Sequence, residues 1–198
     1  MADRPSHDDE RDAYVAEVTI GEIEPPADGL VRLADPDPAW AARFAAAAAA
    51  IRAALGDRVL LLEHVGSTSV PGLAAKPIVD VLLVVGDSAD EAGYVTSLEA
   101  AGYVLRIREP DWYEHRMFRL PDRSVQVHVF SGGCVEIERM LAFRDRLRTH
   151  DDERALYERS KRALAARRWA TVQDYADAKG EVVEAIIARA LAGPDGPD

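Results

Sequence analysis

Residues 60–85 read Leu60-Leu61-Leu62-Glu63-His64-Val65-Gly66-Ser67-Thr68-Ser69-Val70-Pro71-Gly72-Leu73-Ala74-Ala75-Lys76-Pro77-Ile78-Val79-Asp80-Val81-Leu82-Leu83-Val84-Val85, two apolar runs separated by a loop of small residues. Leu60 to Val65 and Ile78 to Val85 are continuous and rich in branched side chains, which predicts strands buried on both faces. Between them Gly66 and Gly72 allow positive φ or close approach of a ligand, and Pro71 and Pro77 stiffen the path. Ser67, Thr68 and Ser69 offer hydroxyl donors to phosphoryl oxygens, Lys76 adds a point charge, and Asp80 offers an oxygen ligand to a cation. The pattern reads as a phosphate site. An acid near the start of a hydrophobic strand is unfavourable to bury without a partner, so Asp80 points to ligand binding or catalysis. The structural alternative has it accepting hydrogen bonds from loop amides.

Working outward, Asp35-Pro36-Asp37-Pro38 predicts an N-terminus for a helix over Ala39 to Leu55, ended by Gly56. Gly86-Asp87-Ser88 introduces a helix over about 89–101, stopped by Gly102. Tyr103 to Arg108 reads as a strand, and Trp112 to Leu120 with Ser124 to Phe130 as a hairpin around Pro121-Asp122-Arg123. In its second strand Val125, Val127 and Val129 alternate with Gln126 and His128, which places those two on one face. The remainder reads as helices over 135–149, 152–168 and 171–192. Before the first helix, residues 1–28 are acidic and polar, read as a flexible segment with a short strand near Tyr14 to Ile20. The expected organisation is therefore an N-terminal segment 1–28, an α+β core 29–133, a helical section 134–193 packed on it, and a tail 194–198.

Length and 48% hydrophobic content suit one domain with trimmings. A net charge of −11 argues against general nucleic-acid binding, because backbone contacts need neutralising Lys and Arg. Charge is unevenly spread: 139–168 holds ten basic and five acidic residues, whereas the first thirty hold nine acids and two arginines. A local basic face on an acidic chain suits a small phosphorylated ligand. No apolar run is long enough to span a bilayer and the start lacks a secretion pattern, so no membrane association and a cytoplasmic location are expected. Cys134, the only cysteine, reads as a small apolar residue after a turn.

The stretch Glu63 to Asp80 resembles the signature of the GrpB family. The likeness continues through Leu141-Ala142-Phe143-Arg144-Asp145-Arg146-Leu147-Arg148, Tyr157, Lys161, and Tyr175 with Lys179-Gly180-Glu181, over about residues 30–190. Members of that family occur alone and fused behind dephospho-CoA kinase. The resemblance implies an α+β nucleotidyltransferase fold of the polymerase-beta kind: a mixed sheet, flanking helices and a C-terminal helical section. It sets Gly66 and Ser67 on the Gly-Ser pair that binds nucleotide phosphates, and Asp80 on the first of three carboxylates that hold two magnesium ions. The other two are absent: Leu82 follows where an acid is expected, and the neighbouring strand offers His128. Magnesium is thus the implied cofactor, with a transferase mechanism that does not carry over intact.

These readings name the candidate residues. Gly66, Ser67, Thr68, Ser69, Lys76, Arg144, Lys161 and Lys179 are expected to bind phosphate or nucleotide, Arg144 as a bidentate clamp. Asp80 is expected to be catalytic and His128 to deprotonate an acceptor hydroxyl. Asp80, His64 and His128 also form a candidate trio for a transition metal. Trp112, Tyr113, His115 and Arg116 form a cluster that suits stacking on a base or a sugar, or protection of a sheet edge. The leading expectation is nucleotide or phosphorylated-ligand binding with nucleotidyl transfer to an acceptor. The alternatives are a catalytically silent binding or folding-assistance module and a metal-dependent hydrolase.

Overall fold

Five strands form one mixed sheet in the order β1-β2-β5-β4-β3, where β1 is Leu61–Val65, β2 Val79–Val85, β3 Val104–Glu109, β4 His115–Arg119 and β5 Val125–Ser131. The computed structural model describes residues 7–22 and 27–192. β2 and β5 run parallel at the centre, and every other pairing is antiparallel. The apolar runs predicted as doubly buried strands are these central elements. In β2 every residue but Asp80 is buried, and Val79, Val81, Leu82 and Leu83 are fully enclosed. Such burial stabilises by about 1.5–3 kcal/mol per large aliphatic side chain.

Alternation along β2 divides the molecule into two layers. Val79, Val81, Leu83 and Val85 join Val125, Val127 and Val129 against α2 (Ala39–Leu55) and α3 (Val95–Ala100). Leu82 and Val84 join Val65 and Phe130 on the other face, under Ile137, Met140 and Leu141 of α4 (Val135–Thr149). α4 packs in turn on α5 (Asp151–Ala165) and α7 (Gly180–Leu191). Val70 and Leu73, from the loop after β1, are buried in that helical cluster with Phe143, Leu147, Tyr157, Ile186 and Ile187. The loop is thereby clamped between sheet and helices. Among the described residues no helix is long and apolar enough to cross a membrane.

Four expected elements differ. The strand expected from Trp112 begins only at His115, because residues 111–114 form a turn with Tyr113 and Glu114 at positive φ. Tyr14 to Ile20 is not a strand. α1 (His7–Val18) is a helix, and only Thr19 makes a bridge, to Ile107. Long-range partners decide the conformation there: Arg11 pairs with Asp174 and Asp177, and the Tyr14 hydroxyl donates to Glu109 at 2.9 Å. The helix expected at 89–101 shrinks to a tight turn at Glu91–Gly93 followed by α3. Its start is held instead by the Tyr94 hydroxyl, which donates to the Ser88 carbonyl at 2.6 Å. The last helix is broken in two. α6 (Val172–Asp177) opens with a capping box between Thr171 and Asp174, and Lys179 precedes the separate α7. The Pro25-Pro26 segment and the tail at 194–198 lie outside the described residues.

Candidate functional site

The chain leaves β1 at Val65 and turns at once, with Gly66 at φ +67° and the Ser67–Ser69 segment forming one tight helical turn. Two of the three hydroxyls hold this turn. Ser69 Oγ donates to the Gly66 carbonyl at 2.6 Å, and Thr68 Oγ1 donates to the Ile78 carbonyl at 3.0 Å. From α4, Arg148 donates twice to the Ser69 carbonyl, at 2.9 and 3.1 Å. Arg144 reaches the His64 carbonyl at 3.1 Å and Glu63 at 2.8 Å. The loop is fixed by the protein's own hydrogen bonds.

The remaining hydroxyl, of Ser67, lines a cavity of about 200 Å³ with Gly66, Thr68, Lys76, Asp80 and Gln126 from the sheet side. The helical section closes it with Tyr157 and Lys161 of α5, Tyr175 of α6 and Lys179. Lys161 is 2% exposed, and its Nζ donates to Ser67 Oγ at 3.1 Å and to the Ala74 carbonyl. Burial, then the neighbouring Lys179 charge, pulls the Lys161 ammonium down to about 7. Burial, then Lys76, brings Lys179 down to about 8. Lys76 is lowered too, by burial, with Asp80 opposing.

Aromatic rings partly substitute for counter-ions. Lys161 Nζ lies 4.7 Å from the Tyr157 ring centre, and Lys179 and Lys76 lie 4.7 and 5.8 Å from that of Tyr175. Among the described residues none of the three lysines is ion-paired. Tyr175 is 1% exposed and its hydroxyl has no hydrogen-bond partner among the described residues. One buried and two half-buried lysines thus surround a single carboxylate, beside a phenol whose hydroxyl has no partner among the described residues.

Of the residues expected to bind phosphate, Gly66, Ser67, Thr68, Lys76, Lys161 and Lys179 therefore converge with Asp80. Two do not. Ser69 is buried in its bond to Gly66. Arg144 does not line the cavity: it is 8% exposed, and its guanidinium bonds to Glu63, the His64 carbonyl and both oxygens of Asp145, the last at 2.7 and 3.1 Å. The trio of His64, Asp80 and His128 does not form. Val65 pairs with Asp80 and His64 with Val81, so His64 projects from the sheet face opposite Asp80. There it stacks on Phe44 of α2 at 4.7 Å and meets Thr68 Oγ1 at 3.1 Å, and burial lowers it to about 4. Among the described residues no group of three or more His, Cys, Asp or Glu is placed to hold a metal.

His128 does share the Asp80 face, with Nε2 3.7 Å from Asp80 Oδ1. The donor set does not fit a pair of magnesium ions, which are hard cations that require several oxygen ligands. Among the described residues Asp80 is the only carboxylate lining the cavity, Leu82 is fully buried beneath α4, and the other oxygen donors, on Ser67, Thr68, Gln126, Tyr157 and Tyr175, are neutral and share the space with three ammonium groups. Sequence reasoning left Glu109 unassigned. It is joined to His128 through His115, a link between residues on three strands that no local spacing reveals.

The GrpB protein family matches residues 30–189. A UPF0157 protein of Halalkalibacterium halodurans is 52% identical over 192 residues, 97% of this chain and 98% of that protein. A crystal structure of the conserved protein GrpB from Enterococcus faecalis superposes with a TM-score of 0.73 at 32% identity, over 81% of this chain and 97% of that one. A dephospho-CoA kinase of Mycolicibacterium paratuberculosis is 30% identical over 175 residues, 75% of this chain but 43% of the kinase.

Proposed function

Since the chain belongs to the GrpB family and draws round a single carboxylate three ammonium groups that have no ion-pair partner among the described residues, we infer that it binds a nucleotide or similar phosphorylated small molecule, phosphates inward, beside Asp80. The lysine cluster carries this reading. Each ammonium, buried at Lys161 and half-buried at Lys76 and Lys179, gives up hydration, as the lowered Lys161 and Lys179 pKa values register, and a multiply charged anion offsets that for all three together. The Ser67 hydroxyl and the spare Tyr175 hydroxyl add neutral contacts. The reaction this arrangement suits is transfer of a nucleotidyl group to an acceptor, with the lysines stabilising charge on the departing pyrophosphate.

One observation favours a second reading, binding without transfer. Leu82 fills an acid position of the nucleotidyltransferase pattern, and the aligned kinase relative carries a region like this chain within a longer protein. Calorimetric titration with nucleoside triphosphates and with tripolyphosphate, with and without magnesium, tests the binding. Affinity in the micromolar range that Lys161→Met weakens at least tenfold is expected. Absence of heat, together with an unshifted melting temperature for every nucleotide tried, overturns the reading. Pyrophosphate release separates transfer from silent binding.

A further inference from the structure

A second cavity, of about 710 Å³, opens on the same sheet face between α1 and the strands. Lys76, Ile78 and Gln126 line both cavities, so they share a wall. Trp112, Met117, Phe130 and Met140 give the larger one apolar sides, and His128, His115 and Glu109 stand in it together. They form a chain: Glu109 Oε2 lies 2.6 Å from His115 Nδ1, and His115 Nε2 lies 3.1 Å from His128 Nδ1. The two rings are stacked with centres 5.3 Å apart. The other Glu109 oxygen accepts from the Tyr14 hydroxyl.

The chain has a direction. An ionised carboxylate only accepts, so His115 carries its proton on Nδ1 and presents a lone pair at Nε2. That lone pair requires the His128 proton to be on Nδ1. The lone pair of His128 is thereby left at Nε2, the nitrogen that faces Asp80 at the junction of the cavities. The other titratable group facing His128 is Glu136 of α4, occupied at 2.9 Å by Arg139.

On the reading that phosphates occupy the smaller cavity, we propose that His128 is the general base of this site and that His115 and Glu109 are its positioning residues. The acceptor is a hydroxyl borne on an apolar or aromatic body seated in the larger cavity. The hydroxyl proton passes to His128 Nε2, and the oxygen forms a bond to the phosphorus held beside Ser67. The bond from that phosphorus to pyrophosphate breaks, and the leaving electron pair goes out on pyrophosphate among Lys76, Lys161 and Lys179. The imidazolium is stabilised by Asp80 on one side and by the His115–Glu109 pair on the other, the logic of an oriented histidine base with two rings in series. No second acid at position 82 is needed for this step.

Nitrogen-15 histidine spectra and a pH profile test it on the intact chain. Spectra at neutral pH are expected to show His128 and His115 protonated on Nδ1. With the nucleoside triphosphate that binds tightest, and benzyl alcohol or water as acceptor, pyrophosphate release is expected to fall on the acid side. His128→Gln lowers release about 100-fold with binding retained. Glu109→Gln removes a negative charge that favours the imidazolium, so the acid limb moves about one pH unit toward acid. A wild-type His128 protonated on Nε2, triphosphate binding without release, or a limb unmoved in Glu109→Gln overturns the relay while the phosphate site stands. Failure of wild-type protein to bind any triphosphate overturns the phosphate site and the relay with it.

Discussion

Gly66 and Asp80 are packed so closely that no side chain fits between them: a β-carbon on Gly66 would lie 2.3 Å from Asp80 Oδ2 and 3.0 Å from its Cγ. Gly66 also holds φ +67°, a conformation other residues adopt with strain. The glycine at the mouth of the loop is therefore there for the carboxylate beside it. Gly66→Ala is expected to lower stability by about 1–3 kcal/mol through backbone strain, with a further loss from the clash. Combining it with Asp80→Gly removes the clash and leaves the strain, so a double-mutant cycle by denaturant unfolding should give a favourable coupling of about 1 kcal/mol or more. Strict additivity of the two changes would show that the contact carries no energy.

The lysine cluster makes ligand affinity depend on pH in a definite sense. Lys161 and Lys179 have folded pKa values of about 7 and about 8, below the ordinary 10.5. The unfolded chain binds more protons than the folded one between those values, so these groups make stability rise with pH from about 7 toward 10.5. Anion binding runs the other way, because it favours the charged ammonium. Affinity for tripolyphosphate is expected to fall about tenfold or more from pH 6 to pH 9, with proton uptake on binding near neutrality. Lys161→Met should flatten the lower part of that profile. Calorimetry in buffers of different ionisation enthalpy reads the uptake directly, and a pH-independent affinity would exclude the cluster as the binding element.

The strands around the loop were legible because each level of the sequence agreed: continuous apolar runs, glycine and proline at the joins, and one acid out of pattern at Asp80. α2 was legible for the same reason, with Ala39–Leu55 bounded as predicted by Pro38 and Gly56. Register was not legible, and the His64 error follows from it. The side-chain period of a strand is two residues, so pairing Val65 with Asp80 puts His64 on the other face, and one residue of slip would have put it beside Asp80. Lys76 was legible in the loop itself, but Lys161 and Lys179 came with the resemblance, since nothing within α5 says which partner its Lys161 face meets. Arg144 shows the opposite limit. An arginine on a basic helix resembles an anion clamp until its partners at Glu63 and Asp145, one of them on a strand far away in sequence, are known.

Arg144 therefore separates scaffold from site. Its guanidinium joins α4 to the end of β1, with side-chain exposure of 10% against 40% for Glu63 and 55% for Asp145, so solvent screens part of each pair. Arg144→Gln is expected to lower stability by about 2 kcal/mol, chiefly through the lost hydrogen bonds to the His64 carbonyl and Glu63. Affinity for a triphosphate, measured well below the melting temperature, should stay within about threefold of wild type, because such a change is under 1 kcal/mol. A drop comparable to that of Lys161→Met would return Arg144 to the ligand.

Tyr175 is the residue for which stability and binding should move in opposite directions. Its ring supports Lys76 and Lys179, yet its buried hydroxyl has no partner among the described residues, and burial raises its pKa far enough that it stays a neutral donor. An unsatisfied buried hydroxyl is unfavourable by about 1–3 kcal/mol, so Tyr175→Phe should leave the ligand-free protein as stable or up to that much more stable. The ring, and with it both cation–π contacts, is kept. If the hydroxyl donates to a ligand phosphate, the same substitution should weaken triphosphate binding about tenfold, the equivalent of about 1.4 kcal/mol for a hydrogen bond to a charged group. Parallel thermal unfolding and calorimetry read both quantities on one preparation. Loss of stability with unchanged affinity would mean that the hydroxyl serves the fold, and the case for a ligand completing the pocket would then rest on the lysines alone.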